Sequence, residues 1–415
     1  LLGLAGWRST IAPVTPSSAT VYTAEVIERG RQLAALGNCA QCHTVDPRQP
    51  MAGGLAMDTP FGTVYTTNIT PDVETGIGSW SFSAFQRAMR EGISRDGHHL
   101  YPAFPYTAYT RMSDDDLTAL YAYLMSQKPI RSEPPKTQLA FPFNLRSLMA
   151  GWNALYLDVG PQQTAQANRS ALWSRGEYLV NGIGHCSACH SERDALGAER
   201  MGQAFLGGAW VKGWEAPSLT ARHPAPVPWT EEAFYQYLRH GHSPRHGMAG
   251  GPMADVVRNL QDVPDADVRA MAHYLASFGQ TVSAVQADQM AAQVVATAAA
   301  GEPQLLGSAQ RLFEQACGAC HHDGQGPQLL GVNVPLALNT NLHSERPDNL
   351  IRTILEGVQD PATRDIGFMP SFKQALDDRQ IVALTAYMRQ RFAPQKPAWN
   401  NLPEAVARAR AASTP

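Results

Sequence analysis

An all-α fold of three tandem helical domains joined by linkers is what the 415-residue sequence predicts. Two observations carry that expectation. All six cysteines fall into three copies of one pattern: Cys39-Ala-Gln-Cys42-His43, Cys186-Ser-Ala-Cys189-His190 and Cys317-Gly-Ala-Cys320-His321. After each copy the chain returns to the same two segments with apolar residues three and four apart, the signature of an internal helical repeat.

The first returning segment is Trp80–Gly92, then Trp229–Gly241, then Arg346–Gly357. Ser81 and Thr230 supply hydroxyls for the free N–H groups of a first turn, and a glycine ends each copy. The second, a closing helix, is Ser113–Leu124, Pro264–Leu275 and Leu376–Met388. Each unit therefore runs helix with C-x-x-C-H, loop, helix, loop, closing helix.

C-x-x-C-H is the attachment motif of c-type haem. Two thiols one helical turn apart reach the two vinyl groups of a porphyrin and form thioethers, and the adjacent imidazole offers a neutral nitrogen to the iron. Zinc or a thiol redox pair would explain one copy, but three copies that use every cysteine do not fit those readings. An iron–sulfur cluster needs four thiolates, and the pairs here lie more than a hundred residues apart. The motifs thus predict three covalently bound haem c groups, held by Cys39, Cys42, Cys186, Cys189, Cys317 and Cys320, with His43, His190 and His321 as iron ligands.

A helical unit of this outline is a cytochrome c domain, which sets the expected boundaries: domain 1 at 21–130, a linker at 131–170, domain 2 at 171–281, a linker at 282–304, domain 3 at 305–395 and a tail at 396–415. The formal charge of −3 gives no reason to expect nucleic acid as a partner. Covalent haem attachment takes place outside the bacterial cytoplasm, so the motif also predicts export. Residues 1–20 begin Leu-Leu-Gly-Leu-Ala-Gly-Trp, too short an apolar run to span a bilayer by itself. Two readings compete, the tail of a signal peptide and the end of an N-terminal membrane anchor, and Trp7 with Arg8 at an interface favours the anchor.

A haem with one histidine takes a second ligand on its other face, and a methionine there raises the potential. Between the last two helices of their units stand Met253, 21 residues before Tyr274, and Met369, 18 before Tyr387. The corresponding residue of unit 1 is Phe104, 19 before Tyr123, which cannot bind iron. Met112 is the favoured substitute, His99 or His98 the runner-up, and an open iron the third option.

The chain resembles the triple-haem cytochrome c subunits of bacterial membrane-bound periplasmic dehydrogenases, which act on alcohols, sugars or aldehydes. The likeness lies in "MAGGLAMDTPFGTVYTTNITPDVETGIGSW", "HLYPAFPY", "DLTALYAYLM", "FPFNLRSLMAGWN", "GEYLVNGIGHCSACH" and "GPMADVV". Many such subunits have a methionine where "YPAFPY" has Phe104. The resemblance implies an electron-transfer subunit on the periplasmic side of the inner membrane, passing electrons from a catalytic dehydrogenase subunit to ubiquinone, a terminal oxidase or the respiratory chain. "DIGFMPSF" and "RFAPQKPAW" are most like the members linked to molybdenum hydroxylases, which implies a molybdenum and iron–sulfur aldehyde or heteroaromatic dehydrogenase as partner. A flavin- or quinoprotein-dependent sugar or alcohol dehydrogenase is the alternative partner.

Haems with strong ligands on both faces shuttle electrons and leave no iron position for a substrate, so the chain is expected not to be an enzyme by itself. The competing class is a multihaem peroxidase-like enzyme working at an open first haem, and Phe104 is the feature that keeps it in view.

Overall fold

The computed structural model describes residues 8–15, 22–162, 168–301, 307–322 and 331–412. The Leu1–Trp7 segment and its expected anchoring role lie outside them. Among the described residues no helix is long and apolar enough to cross a membrane. The chain divides into two compact units, Leu1–Ala188 with Asp262–Asp267, and Cys189–Gln261 with Val268–Pro415.

In the first unit, α1 (Ala24–Leu36) starts where the Thr23 hydroxyl accepts from the Val26 N–H. The short α2 (Cys39–His43) follows, and β1 (Ala56–Thr59) then pairs with β2 (Gly62–Tyr65) in an antiparallel hairpin. The expected middle helix is α3 (Phe82–Glu91), capped by Ser81 and stopped by left-handed Gly92. After α4 (Tyr106–Tyr109) comes the closing helix α5 (Asp114–Ser126), with Ser113 as its cap and three aspartates in its first turn. Those carboxylates face the positive end of the helix dipole. α1 and α5 cross at Gly30, where a Cβ would lie 1.9 Å from the Ala119 carbonyl oxygen, so only glycine permits this approach.

The expected linker 131–170 is largely folded onto this unit. β3 (Gln138–Leu139) extends the hairpin through β2. α6 (Leu148–Tyr156) buries Trp152, and Asn153 accepts from the Tyr106 hydroxyl at 2.7 Å while donating to the Glu91 carbonyl at 3.0 Å. α7 (Ala171–Asn181) begins the second repeat, with Ser170 as its cap.

The short helix α8 (Ser187–His190) carries part of the second motif. In the second unit, β4 (Ala209–Val211) and β5 (Trp214–Ala216) repeat the hairpin. α9 (Glu231–His240) runs from its Thr230 cap to left-handed Gly241, and β6 (His242–Ser243) pairs with β7 (Gly247–Met248). α10 (Pro252–Leu260) precedes the second closing helix, α11 (Asp265–Ala276).

The 282–304 linker is mostly helical: α12 (Ala284–Ala300) opens with a Ser283/Gln286 capping box and packs Ala287 and Ala291 against Val227 and Leu338. α13 (Ser308–Ala316), α14 (Thr340–His343), α15 (Asp348–Glu356) and α16 (Asp378–Phe392) form the third repeat around Phe313, Leu342, Ile351, Leu355 and Leu384. The tail joins this core through Leu402, Ala405 and Val406 of α17 (Leu402–Ala412).

The fold is thus helix-rich, and it departs from the all-α expectation in holding three small antiparallel sheets among the described residues. Their strands are two to four residues long. That is too short for the alternation by which a strand is read from sequence.

Candidate haem sites

The first site begins at Asn38, whose left-handed backbone turns the chain from α1 into α2. Within α2, Cys39 and Cys42 stand one turn apart and His43 ends the helix. The His43 Nδ1 lies 2.6 Å from the Thr67 carbonyl oxygen. A carbonyl only accepts, so Nδ1 carries the proton and Nε2 keeps its lone pair. Burial holds the imidazole pKa below its ordinary value, with the Thr67 carbonyl opposing, so the ring is neutral at pH 7. A neutral imidazole oriented by a carbonyl on its far nitrogen is the arrangement of a metal-ligating histidine.

Gly53 locks the same corner: its N–H donates to the His43 carbonyl at 2.7 Å. Its φ is +77°, and a Cβ would lie 2.5 Å from the Thr67 carbonyl.

The second unit repeats this construction. His190 Nδ1 lies 2.7 Å from the Pro217 carbonyl oxygen, and the Gly208 N–H donates to the His190 carbonyl at 2.8 Å. Burial again lowers the imidazole pKa, with the Pro217 carbonyl opposing. At the third motif His321 is lowered by burial and then by His322.

Burial also bears on the cysteines. As a free thiol Cys39 would be pushed up to about 12 by burial and then by Cys42. Cys317 would be pushed up to about 11 by burial and then by Cys320. No group of three or more His, Cys, Asp or Glu able to hold a metal ion occurs among the described residues. The cysteine pair with its adjacent imidazole is the donor set of the c-type haem attachment motif.

The connection to each closing helix positions the candidate sixth ligands. In the first unit the Leu100 N–H donates to the Gly92 carbonyl at 2.7 Å, beside a bridge between Ile93 and His99. In the second, the Ala249 N–H donates to the Gly241 carbonyl at 2.7 Å, beside the pairing of His242 with Met248. Leu100 and Ala249 are thus equivalent. Four residues further on stand Phe104 and Met253, both half-buried. The third repeat differs, because Met369 itself forms the bridge with Val358.

The Phe104 ring is 5.4 Å from that of Tyr109, whose phenol is raised well above its ordinary pKa by burial, then by Cys39 and Cys42.

Met112, the favoured substitute ligand, precedes the Ser113 cap of α5. It is 0% exposed, and protein atoms enclose it on every side, leaving its sulfur no open face. Its backbone is fixed as well, since its carbonyl accepts from Arg90 Nη2 at 2.9 Å directly before the Ser113 cap. Its side chain is part of the buried core. His98 Nδ1 pairs with Asp96 at 2.5 Å and lies 3.0 Å from the Ser94 hydroxyl. His99 is 4% exposed, and both its ring nitrogens are buried without a partner.

Sequence reasoning missed the two orienting carbonyls. A signal was present, because Thr67-Asn68-Ile69-Thr70 and Pro217-Ser218-Leu219-Thr220 share a polar–aliphatic–threonine pattern after each hairpin.

Comparisons with known proteins agree with this construction. The family described as cytochrome c matches residues 27–128. The family described as cytochrome c oxidase, cbb3-type, subunit III matches residues 304–388. A nicotinate dehydrogenase subunit of Pseudomonas putida is 55% identical over 98% of this chain, which spans 33% of that relative's length. The fructose dehydrogenase cytochrome subunit of Gluconobacter japonicus is 36% identical over 94% of this chain and 84% of its own. The cytochrome c subunit of the quinone alcohol dehydrogenase of Gluconobacter oxydans is 35% identical over 88% of this chain and 78% of its own. Motif, oriented imidazoles and relatives converge: the chain belongs to the family of cytochrome c subunits of bacterial dehydrogenases and carries covalent haem c for electron transfer.

Proposed function

We propose that the chain is a three-haem relay made of three cytochrome c domains, taking electrons from a catalytic dehydrogenase subunit and delivering them towards ubiquinone or the respiratory chain. The observation that carries this reading is the repeated imidazole geometry, His43 on the Thr67 carbonyl and His190 on the Pro217 carbonyl. Bound haem supplies a one-electron iron couple. The chain's own contribution is to hold each porphyrin through a cysteine pair, to keep His43, His190 and His321 neutral, and to offer the thioethers of Met253 and Met369 on the opposite faces. A sulfur ligand raises the potential of its haem.

The partner we favour is a molybdenum and iron–sulfur dehydrogenase of an aldehyde or heteroaromatic substrate, because the relative at 55% identity is named as a nicotinate dehydrogenase subunit, whereas those named for fructose and alcohol stand at 36% and 35%. The same reading places the relay on the periplasmic side of the inner membrane, where covalent haem is attached. A tagged, haem-loaded chain isolated from its own cell should retain a catalytic subunit, and that subunit's substrate should reduce the haems. Haems that stay oxidised while the retained subunit turns over would contradict the proposal.

A further inference from the structure

We infer that the first haem has no sixth ligand from the protein and binds a small exogenous ligand, carbon monoxide on ferrous iron or cyanide on ferric iron, on the face served by the Phe104 slot. This rests on the reading of the chain as a three-haem relay.

The register of the two units carries the argument. Leu100 and Ala249 make the same hydrogen bond to the glycine that ends the preceding helix, and four residues later the first unit has Phe104 where the second has Met253. The slot itself is kept: Phe104 is half-buried like Met253, and its ring packs 5.4 Å from that of Tyr109. A phenyl ring has no lone pair for iron.

The other donors on this connection are committed elsewhere. Met112 is enclosed in the core, and its carbonyl is held by Arg90. His98 is tied to Asp96 and Ser94. Tyr106 donates its hydroxyl to Asn153, and Tyr101 lies under the Arg146 guanidinium, 4.6 Å from ring to charge.

His99 is the strongest competitor, since a buried imidazole with both nitrogens unpartnered is an expensive group that asks for a ligand. Two observations place it elsewhere. Its bridge to Ile93 makes it the counterpart of Met248, five residues short of the ligand slot, and protein atoms cover both its nitrogens.

An iron with imidazole alone also lacks the sulfur that raises the potential. The first haem should therefore be the lowest of the three.

The test uses the haem-loaded full chain. The reduced protein should bind about one carbon monoxide per chain, seen as a change in the Soret band of about a third of the haem. Phe104→Met should abolish that binding, raise one redox midpoint and add one haem equivalent of near-infrared sulfur-to-iron absorption. Full haem loading with no carbon monoxide binding would overturn the inference while leaving the relay intact. A change of low-spin signature on His99→Ala would overturn it in favour of bis-histidine ligation. Incomplete haem loading, shown by the mass of the unfolded chain, would instead be the failure of the three-haem reading.

Discussion

His43 and Thr67 are joined by a 2.6 Å hydrogen bond from an imidazole N–H to a backbone carbonyl, and the bond survives only because Gly53 leaves room for that carbonyl. The main-chain carbonyl thus holds the proton on Nδ1 and leaves the lone pair on Nε2. The same arrangement recurs at His190 and Pro217.

Gly53→Ala is expected to disturb the first site and spare the others. A Cβ would lie 2.5 Å from the Thr67 carbonyl, and φ is +77°, so the variant must carry strain of about 1–3 kcal/mol or shift the carbonyl. Thermal melting should fall, and one redox midpoint should move while the remainder stay fixed. Unchanged midpoints and melting would show that the Thr67 corner does not orient His43.

Asp267 gives a pH-dependent prediction. Burial opposes its charge, but hydrogen bonds and charge from Arg175, at 2.8 Å, and from Arg29, at 3.2 Å, prevail and lower its pKa. Its contribution is therefore present above the unfolded carboxylate value of about 3.9 and is lost as pH falls through the lower folded value. Asp267→Asn leaves Arg175 without its carboxylate, while Arg29 keeps Asp116 at 3.0 Å, and should cost about 1 kcal/mol at pH 7. The difference from wild type should shrink below about pH 3. Denaturant melts at the two pH values measure it, and an equal loss at both would refute the linkage.

Met253→His and Met369→His should each lower one haem potential and leave the fold intact, because nitrogen replaces sulfur at an existing slot. Spectroelectrochemical titration reads this directly. If neither variant moves a midpoint, the ligand slots have been misplaced.

Local chemistry is legible in the sequence. Ser81, Thr230, Gly92, Gly241 and Gly357 stand at the helix ends where their side chains or their lack of one predict them. The cysteine–histidine motifs name their cofactor directly, because a porphyrin imposes its spacing on the chain.

The features that escape the sequence depend on contacts between distant residues. β3 pairs Leu139 with Gly62, and no local pattern announces a two-residue strand. α12 and α17 fall in the expected linker and tail because their alanine-rich faces become core only against Val227, Leu338 and α16. The complete burial of Met112 is likewise a tertiary fact that its place before Ser113 does not announce. The Thr67 and Pro217 carbonyls belong to the main chain, which every residue has, so side-chain identity does not mark them.

Three covalent haems on one chain underlie every other inference, and the mass of the unfolded protein tests them most directly. Thioethers survive denaturation, so the denatured chain should carry three haem additions, and peptide mapping should place one each on Cys39/Cys42, Cys186/Cys189 and Cys317/Cys320. A fully matured chain with fewer than three additions, or with a motif cysteine pair left free, would contradict it.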